Sequence, residues 1–266
     1  MSMGRKRNGL LTRVSTHGRL VPIMADLSDR QNKILQSLIE EYIETAAAVG
    51  SEVLEKKYNL GVSPATIRNE MAELTRLGYF KQPHTSAGRV PTPMALKYYV
   101  RNLMKPKDLS VSEEVAVKEK LWNYRTEFNK TLSEATRELA RRTKSLAVAM
   151  DNQDNVYYAG TANILDMPEF YDIDLTKTVL SLLDRIDYIN KLFARGVGDE
   201  DIHILMGDEL GIDYLQPCGL VYARFGEGKK FNGAIGVIGP YRFNYPVLIP
   251  TIRYFGGLID ELVGNW

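Results

Sequence analysis

The chain has 266 residues, of which 44% are hydrophobic and 25% charged, with a formal net charge of +1. That length is enough for two modest cores, and near-neutrality excludes a polycation, so any nucleic-acid signal must lie in the local distribution of charge. A single cysteine, Cys218, excludes an internal disulfide and fits a reducing cytoplasm; His17, His84 and His203 are scattered without metal-ligand spacing, and apolar runs such as Ile204-Leu205-Met206 are too short to span a bilayer.

Residues 1–24 carry Arg5, Lys6, Arg7, Arg13 and Arg19 and no acidic residue. They lack the apolar stretch of a secretory signal. Two readings stay open, a disordered basic arm or a start-site artefact with Met24 as the true start; the second is slightly favoured.

A DNA-binding domain is expected over 25–105. Ser28 with Gln31 three residues on is a capping-box signature, and Ile34, Leu35, Leu38, Ile39, Tyr42 and Ile43 follow at helical spacing. A second helix starts at Ser51, carries Val53, Leu54 and Tyr58, and stops at Asn59-Leu60-Gly61, where Asn and Gly tolerate the left-handed turn. A third has Ser63 as N-cap, Pro64 as first residue and Gly78 as its end. At about 100° per residue, Ile67, Met71 and Leu74 share one face, while Ala65, Asn69, Ala72 and Arg76 point away, with Arg68 beside them. Tyr79 to Gln82 and Arg89-Val90-Pro91 read as a short hairpin across the turn Pro83 to Gly88. Thr92-Pro93 starts a fourth helix with Leu96, Tyr99, Val100 and Leu103 inward, and Lys105-Pro106-Lys107 is a linker.

Residues 106–145 read as a helical connector. Leu121, Phe128, Leu132, Ala135 and Leu139 recur at three- and four-residue steps, which fits either a coiled-coil-like dimer arm or a helix on a domain surface. From 146 to 266 the pattern becomes α/β. Strands are expected at Leu146–Met150, Val156–Ala159, Ile202–Met206, Leu220–Phe225 and Ala234–Ile238, with helices at Asp174–Ala194 and Pro250–Val263. The fold class is α+β, an N-terminal winged helix-turn-helix followed by an α/β domain.

Three helices and a hairpin make a winged helix, and the chemistry of the third helix fits base reading. Arg suits guanine, Asn suits adenine, and alanine permits close approach and contact with thymine methyls. The candidate DNA-binding residues are Ser51 at the second helix, Ser63, Ala65, Thr66, Arg68, Asn69, Ala72 and Arg76 on the third, and His84, Thr85, Ser86 and Arg89 on the wing. Ser63 and Thr66 open a helix N-terminus suited to phosphate. By itself the third helix is about as well explained as a charged surface helix; its place between a turn and a wing moves the balance to DNA.

The runs Leu27-Ser28-Asp29-Arg30-Gln31, Val49-Gly50-Ser51 and Gly61-Val62-Ser63-Pro64-Ala65-Thr66-Ile67-Arg68-Asn69-Glu70-Met71-Ala72-Glu73-Leu74, with Gln82-Pro83-His84-Thr85-Ser86-Ala87-Gly88-Arg89-Val90-Pro91-Thr92, resemble the HrcA family of bacterial heat-inducible transcription repressors. Tyr158-Ala159-Gly160-Thr161-Ala162-Asn163-Ile164-Leu165 and Gly236-Val237-Ile238-Gly239-Pro240-Tyr241-Arg242-Phe243-Asn244-Tyr245 extend the resemblance to the C-terminal region. It implies a winged helix, a GAF-like domain with an inserted dimerisation domain, a homodimer on an inverted-repeat operator of the CIRCE type, and a chaperonin partner, in the cytoplasm with the nucleoid. Between Arg142 and Val156 this chain has one strand and a turn where the family carries many more residues, so the expected GAF-like domain is shortened and the inserted domain has no counterpart.

No cofactor and no catalytic set is expected. Gly226-Glu227-Gly228-Lys229-Lys230 lacks phosphate-loop spacing and reads as a β-turn. Gly207-Asp208-Glu209 with Asp213 reads as a solvated loop, His203 as a packed residue and Cys218 as a small hydrophobe. Tyr222, Phe225, Tyr241 and Tyr245 are core positions by default or the lining of a pocket. The alternatives to a heat-shock repressor are a winged-helix regulator sensing a small metabolite through its α/β domain, and an enzyme.

Overall fold

The computed structural model describes residues 27–85, 87–195 and 201–264, with the backbone of two further short segments. Those segments, β1 (Thr12–Val14) and β2 (Leu20–Pro22), pair antiparallel; the rest of the extension expected to be disordered lies outside the described residues. The chain divides into two units between Leu103 and Met104.

In the first unit, α1 (Asp29–Thr45) starts where the sequence sets its cap. Ser28 Oγ accepts from the Gln31 N–H, and the Ser28 N–H donates to Gln31 Oε1, so two otherwise orphaned donors are satisfied reciprocally. Helix α2 (Ser51–Tyr58) ends at Asn59, whose φ of 42° is left-handed. Helix α3 (Pro64–Arg76) has Ser63 Oγ accepting from the Thr66 N–H at 3.2 Å. Strands β3 (Phe80–Lys81) and β4 (Val90–Pro91) form the wing, shorter than expected, and α4 (Pro93–Asn102) follows. The Thr92 hydroxyl caps α4 through the Ala95 N–H and also donates to the Gly78 and Tyr79 carbonyls, which ties the turn after α3 to the helix after the wing. Ile34, Leu35, Leu38, Ile39, Leu54, Ile67, Leu74 and Leu96 are fully buried. At about 1.5–3 kcal/mol for each such side chain, this cluster is the main force holding the four helices together.

The second unit begins with α5 (Val111–Trp122) and α6 (Phe128–Thr143), two helices where 106–145 suggested one run. The break is closed by the buried Thr131 hydroxyl, which donates to the Tyr124 carbonyl at 2.7 Å. Leu121, Phe128, Leu132, Ala135 and Leu139 are all buried within this unit, α6 packing on α9 and on the sheet. The stripe offered as a dimer seam is therefore taken up by the chain's own core.

The sheet contains β5 (Leu146–Asp151), β6 (Val156–Ala159), β7 (His203–Met206), β8 (Cys218–Phe225) and β9 (Gly233–Pro240) in the order β6-β5-β9-β8-β7, every pair antiparallel. Alternation along β5 sends Leu146, Val148 and Met150 into a cluster with α7 (Ile173–Leu182) and α8 (Ile186–Ala194). The single helix expected at 174–194 is broken at Arg185, whose φ of −108° and ψ of 77° are not helical. The other sheet face meets α6 and α9 (Tyr245–Val263). A Cβ on Gly256 would come 2.7 Å from Ala223 Cβ, so α9 rides close to β8 because that position has no side chain.

Helix α9 starts five residues earlier than expected and carries Pro250 inside it. Proline lacks the N–H that would bond the Pro246 carbonyl; the Lys107 N–H bonds that carbonyl instead, at 2.7 Å. The five strands with helices on both faces make the α/β domain expected in shortened form. Tyr222 and Tyr245 are fully buried and Phe225 and Tyr241 nearly so, as core residues. His203 is buried with its ring 4.9 Å from that of Tyr222, and burial pushes the Cys218 thiol up to about 12. Lys229 closes the turn between β8 and β9 by donating to Asp260 at 2.8 Å. Glu209 accepts from the Met206 N–H, so the acidic loop is tied into a short helical turn.

Glu138, buried on α6, is held as a carboxylate by three cations. Burial alone would raise its carboxyl, but hydrogen bonds from Arg141, Lys120 and Arg142, at 2.6–2.9 Å, outweigh this and bring it down to about 2. Lys120 belongs to α5, so this carboxylate helps pin α5 to α6.

Candidate nucleic-acid interface

Helix α3 is presented by contacts on both of its flanks. On one flank Glu70 accepts from Arg30 Nε at 2.8 Å and Gln31 Nε2 at 3.1 Å, both from the first turn of α1. Gln31 thus closes the α1 cap and latches α3 with the same side chain. On the other flank Thr75 receives Arg89 Nε at 3.2 Å from the root of the wing. Five residues separate Glu70 from Thr75, about 140° around the helix, so the two attachments grip opposite sides of the buried stripe. The arc between them that faces away from the core carries Ala65, Arg68, Asn69, Ala72 and Arg76, all exposed.

These five are not equally available. Arg76 donates twice to Glu73, at 2.5 and 2.8 Å, and each partner reinforces the charge of the other. The pair is exposed and weak enough for a phosphate to compete. Ser63 and Thr66 share a 3.0 Å hydroxyl contact at the helix start, with Thr66 half-buried.

The wing is held to the body by a bridge between Val49 and Arg89. The Val49 N–H donates to the Arg89 carbonyl at 2.9 Å, and the Arg89 N–H donates back at 2.8 Å. This bridge turns Arg89 inward, so it is half-buried and its guanidinium lies on Thr75 and near the Ala87 and Gly88 carbonyls. His84 and Thr85 are exposed at the tip, and Ser86 lies outside the described residues. Gln82 shapes the tip by donating to the Thr85 and Ala87 carbonyls at 2.8 and 3.0 Å.

Between wing, α2 and α3 runs an open groove of about 550 Å3, lined among others by Ser51, Arg68, Gln82, Thr85 and Arg89. Ser51 is buried at its α2 wall. Helix α2 has Gly50 as N-cap with no side-chain cap hydrogen bond, and Gly50, Ser51, Glu52 and Val53 line this end of the groove. An arginine on each side, hydroxyls and a helix N-terminus are groups of the kind that phosphate binding calls for, beside a helix whose outer face carries hydrogen-bond donors.

Sequence reasoning did not find Glu70, Gln82, the Val49–Arg89 bridge or the need for Gly88. A Cβ there would stand 2.3 Å from the Val49 carbonyl oxygen. The wing motif Gln82 to Arg89 contains three of these residues, but the reason for Gly88 and for the Arg89 bridge lies in Val49, forty residues from Arg89 along the chain.

Known families match this arrangement over both units. The model of the winged helix-turn-helix transcription repressor HrcA DNA-binding domain covers residues 26–105, and that of the HrcA protein C terminal domain covers residues 101–249. The chain belongs to the HrcA family. It is a transcription repressor with a winged-helix DNA-binding domain, and not an enzyme. The Heat-inducible transcription repressor HrcA of Desulforudis audaxviator is 30% identical, over 86% of this chain and 95% of that protein; the one of Symbiobacterium thermophilum is 26% identical, over 89% and 98%. The first alignment runs over 328 residues, more than this chain contains, so HrcA relatives carry residues that are missing here. A crystal structure of a hypothetical protein at 2.2 Å resolution shares the fold, with a TM-score of 0.72 at 19% identity over 90% of this chain and 99% of that one. Among the described residues no helix is long and apolar enough to cross a membrane, and no group of His, Cys, Asp and Glu could hold a metal.

Proposed function

We propose that this HrcA-family protein is a cytoplasmic repressor of chaperone genes that binds an inverted-repeat operator of the CIRCE type as a homodimer. The observation that carries the reading is the outward arc of α3, where Arg68 and Asn69 stand side by side between two alanines with the wing on one flank. Arg68 and Asn69 read base edges; Ser63, Thr66, Thr85 and the groove around Ser51 and Arg89 take the backbone phosphates. One such helix reads a short half-site, and two related by a dyad gain the specificity that a genome demands. The buried Leu121, Phe128, Leu132 and Leu139 are unavailable for pairing, so the dimer uses another surface.

Heat relieves repression on this reading, and a chaperonin restores the binding-competent form. A footprint of the purified protein on the DNA upstream of its own gene tests the operator: protection of two half-sites about one helical turn apart supports it, and a single half-site or none refutes it. Operator titrations before a heat step, after it, and after incubation with chaperonin and ATP test the regulation. Affinity that survives the host's stress temperature would refute heat sensing.

A further inference from the structure

We propose that Arg30, held by Glu70, is a phosphate contact on the flank of α3 opposite the root of the wing. The inference rests on the DNA-binding reading above and adds to it a contact supplied by α1.

The winged-helix domain has little net charge for DNA. Residues 25–105 hold eleven Lys and Arg against nine Asp and Glu. Affinity for duplex DNA comes largely from phosphate contacts and counterion release, so the placing of each cation around α3 matters. Arg68 and Arg76 lie on the outward arc of that helix, and Arg89 lies against Thr75 on the wing flank. Arg30 stands on the other flank, against Glu70.

The geometry of Arg30 is that of a guanidinium held ready for a second acceptor. Its Nε and Nη2 both lie on Glu70 Oε1, at 2.8 and 2.5 Å, so one edge of the planar group is taken by the carboxylate. The carboxylate is itself fixed, because its other oxygen accepts from Gln31 Nε2 at 3.1 Å and its side chain is only 14% exposed. The Arg30 side chain is 54% exposed, and its Nη1 has no partner among the described residues. A guanidinium carries five donors in one rigid plane, so an edge turned to a carboxylate leaves the donors beyond it for a phosphate oxygen. With that plane already fixed, less side-chain freedom is lost on binding.

The position suits a phosphate beside the base-reading face. Glu70 follows Asn69 directly and lies one turn after Thr66, which places the two on the same side of α3. Thr66 shares its hydroxyl contact with Ser63 at the start of the helix, and both are candidates for phosphate. Arg30 from α1 and Arg89 from the wing then bracket the recognition helix, one on each side of the buried stripe.

The test uses the full chain and the operator duplex found by the footprint, with single phosphates replaced by uncharged methylphosphonates. Arg30→Gln is the variant, because its amide can still donate to Glu70 while the outward donors and the charge are gone. In the unaltered protein, a phosphonate on the side of the half-site away from the wing should weaken binding. In Arg30→Gln that sensitivity should vanish, while the sensitivities at the wing's phosphates stay. The variant should also lower the slope of log affinity against log salt by about 0.9, and weaken operator and random duplex alike. Arg30→Gln with every phosphate sensitivity and the slope of the unaltered protein would overturn the contact. So would weaker binding at an unchanged slope, which would leave Arg30 as a strut of α3 alone. Failure of the unaltered chain to bind any duplex would refute the DNA-binding reading itself, and this contact with it.

Discussion

Replacing Gly88 by Ala should unhook the wing while leaving the three helices folded. The added Cβ would stand 2.3 Å from Val49 O, 2.4 Å from Val49 C and 2.9 Å from Gly50 N, all backbone atoms that cannot rotate away. Relief requires the wing to move off α2, which breaks the two hydrogen bonds of the Val49–Arg89 bridge. At about 0.5–1.5 kcal/mol each, their loss costs about 1–3 kcal/mol of wing docking. If DNA binding needs the docked wing, operator affinity falls by about five- to a hundredfold. The measurement is an operator titration alongside hydrogen exchange at the Val49 and Arg89 amides, with far-ultraviolet circular dichroism to show that helix content is kept. Gly50→Ala is the control, because a Cβ there meets nothing within 4 Å. Full operator affinity in Gly88→Ala with both amides exchanging fast would refute the role of the docked wing; full affinity with both still protected would refute the steric argument itself.

Arg68→Ala and Asn69→Ala should each cost about 1–3 kcal/mol on operator, at one or two base positions; for Asn69 the loss on random duplex should be smaller, and equal losses on the two DNAs would remove it from base reading. Arg89→Ala should weaken binding to every sequence and lower the salt slope by about 0.9, whereas weaker binding at an unchanged slope would make Arg89 an anchor of the wing on Thr75 and not a phosphate contact. Glu138→Gln should lower the melting temperature at neutral pH and flatten acid unfolding. The folded-state carboxyl titrates near 2, below its usual value of 4.5, so its stabilisation is present above about pH 4.5 and is lost as pH falls towards 2. The shift corresponds to on the order of 3 kcal/mol. An acid transition identical in wild type and variant would show that the carboxylate does not stabilise the domain.

What was legible in the sequence follows the range of the interactions. Ser28, Ser63, Pro64 and Asn59 act within four residues of themselves, as does the bond by which Thr92 caps α4, and their helix boundaries could be read directly. So could the buried stripe of α3, and from it the outward direction of Arg68 and Asn69. The latch from Arg30 and Gln31 to Glu70 spans about forty residues and the Val49–Arg89 bridge spans forty; neither leaves a periodic trace. Helix α9 shows the same limit. Proline-based reasoning started it at Pro250, because the freed Pro246 carbonyl could not be assigned to Lys107, about 140 residues earlier.

The stripe Leu121, Phe128, Leu132, Leu139 carries a further point. Heptad-like spacing states that a face is buried and does not state what buries it. In this chain the sheet and α9 bury it, and Glu138, on the same helix, is neutralised by Lys120 of α5 and by two arginines of its own helix. A dimer arm would need that apolar face free, and freeing it would expose four large side chains and leave an acidic residue near pH 7 without its α5 partner. That cost makes exchange between a packed and a paired α6 unfavourable under native conditions. A homodimer of the kind proposed above must therefore use a surface that leaves the α5–α6 pair as it stands, docked on its own domain.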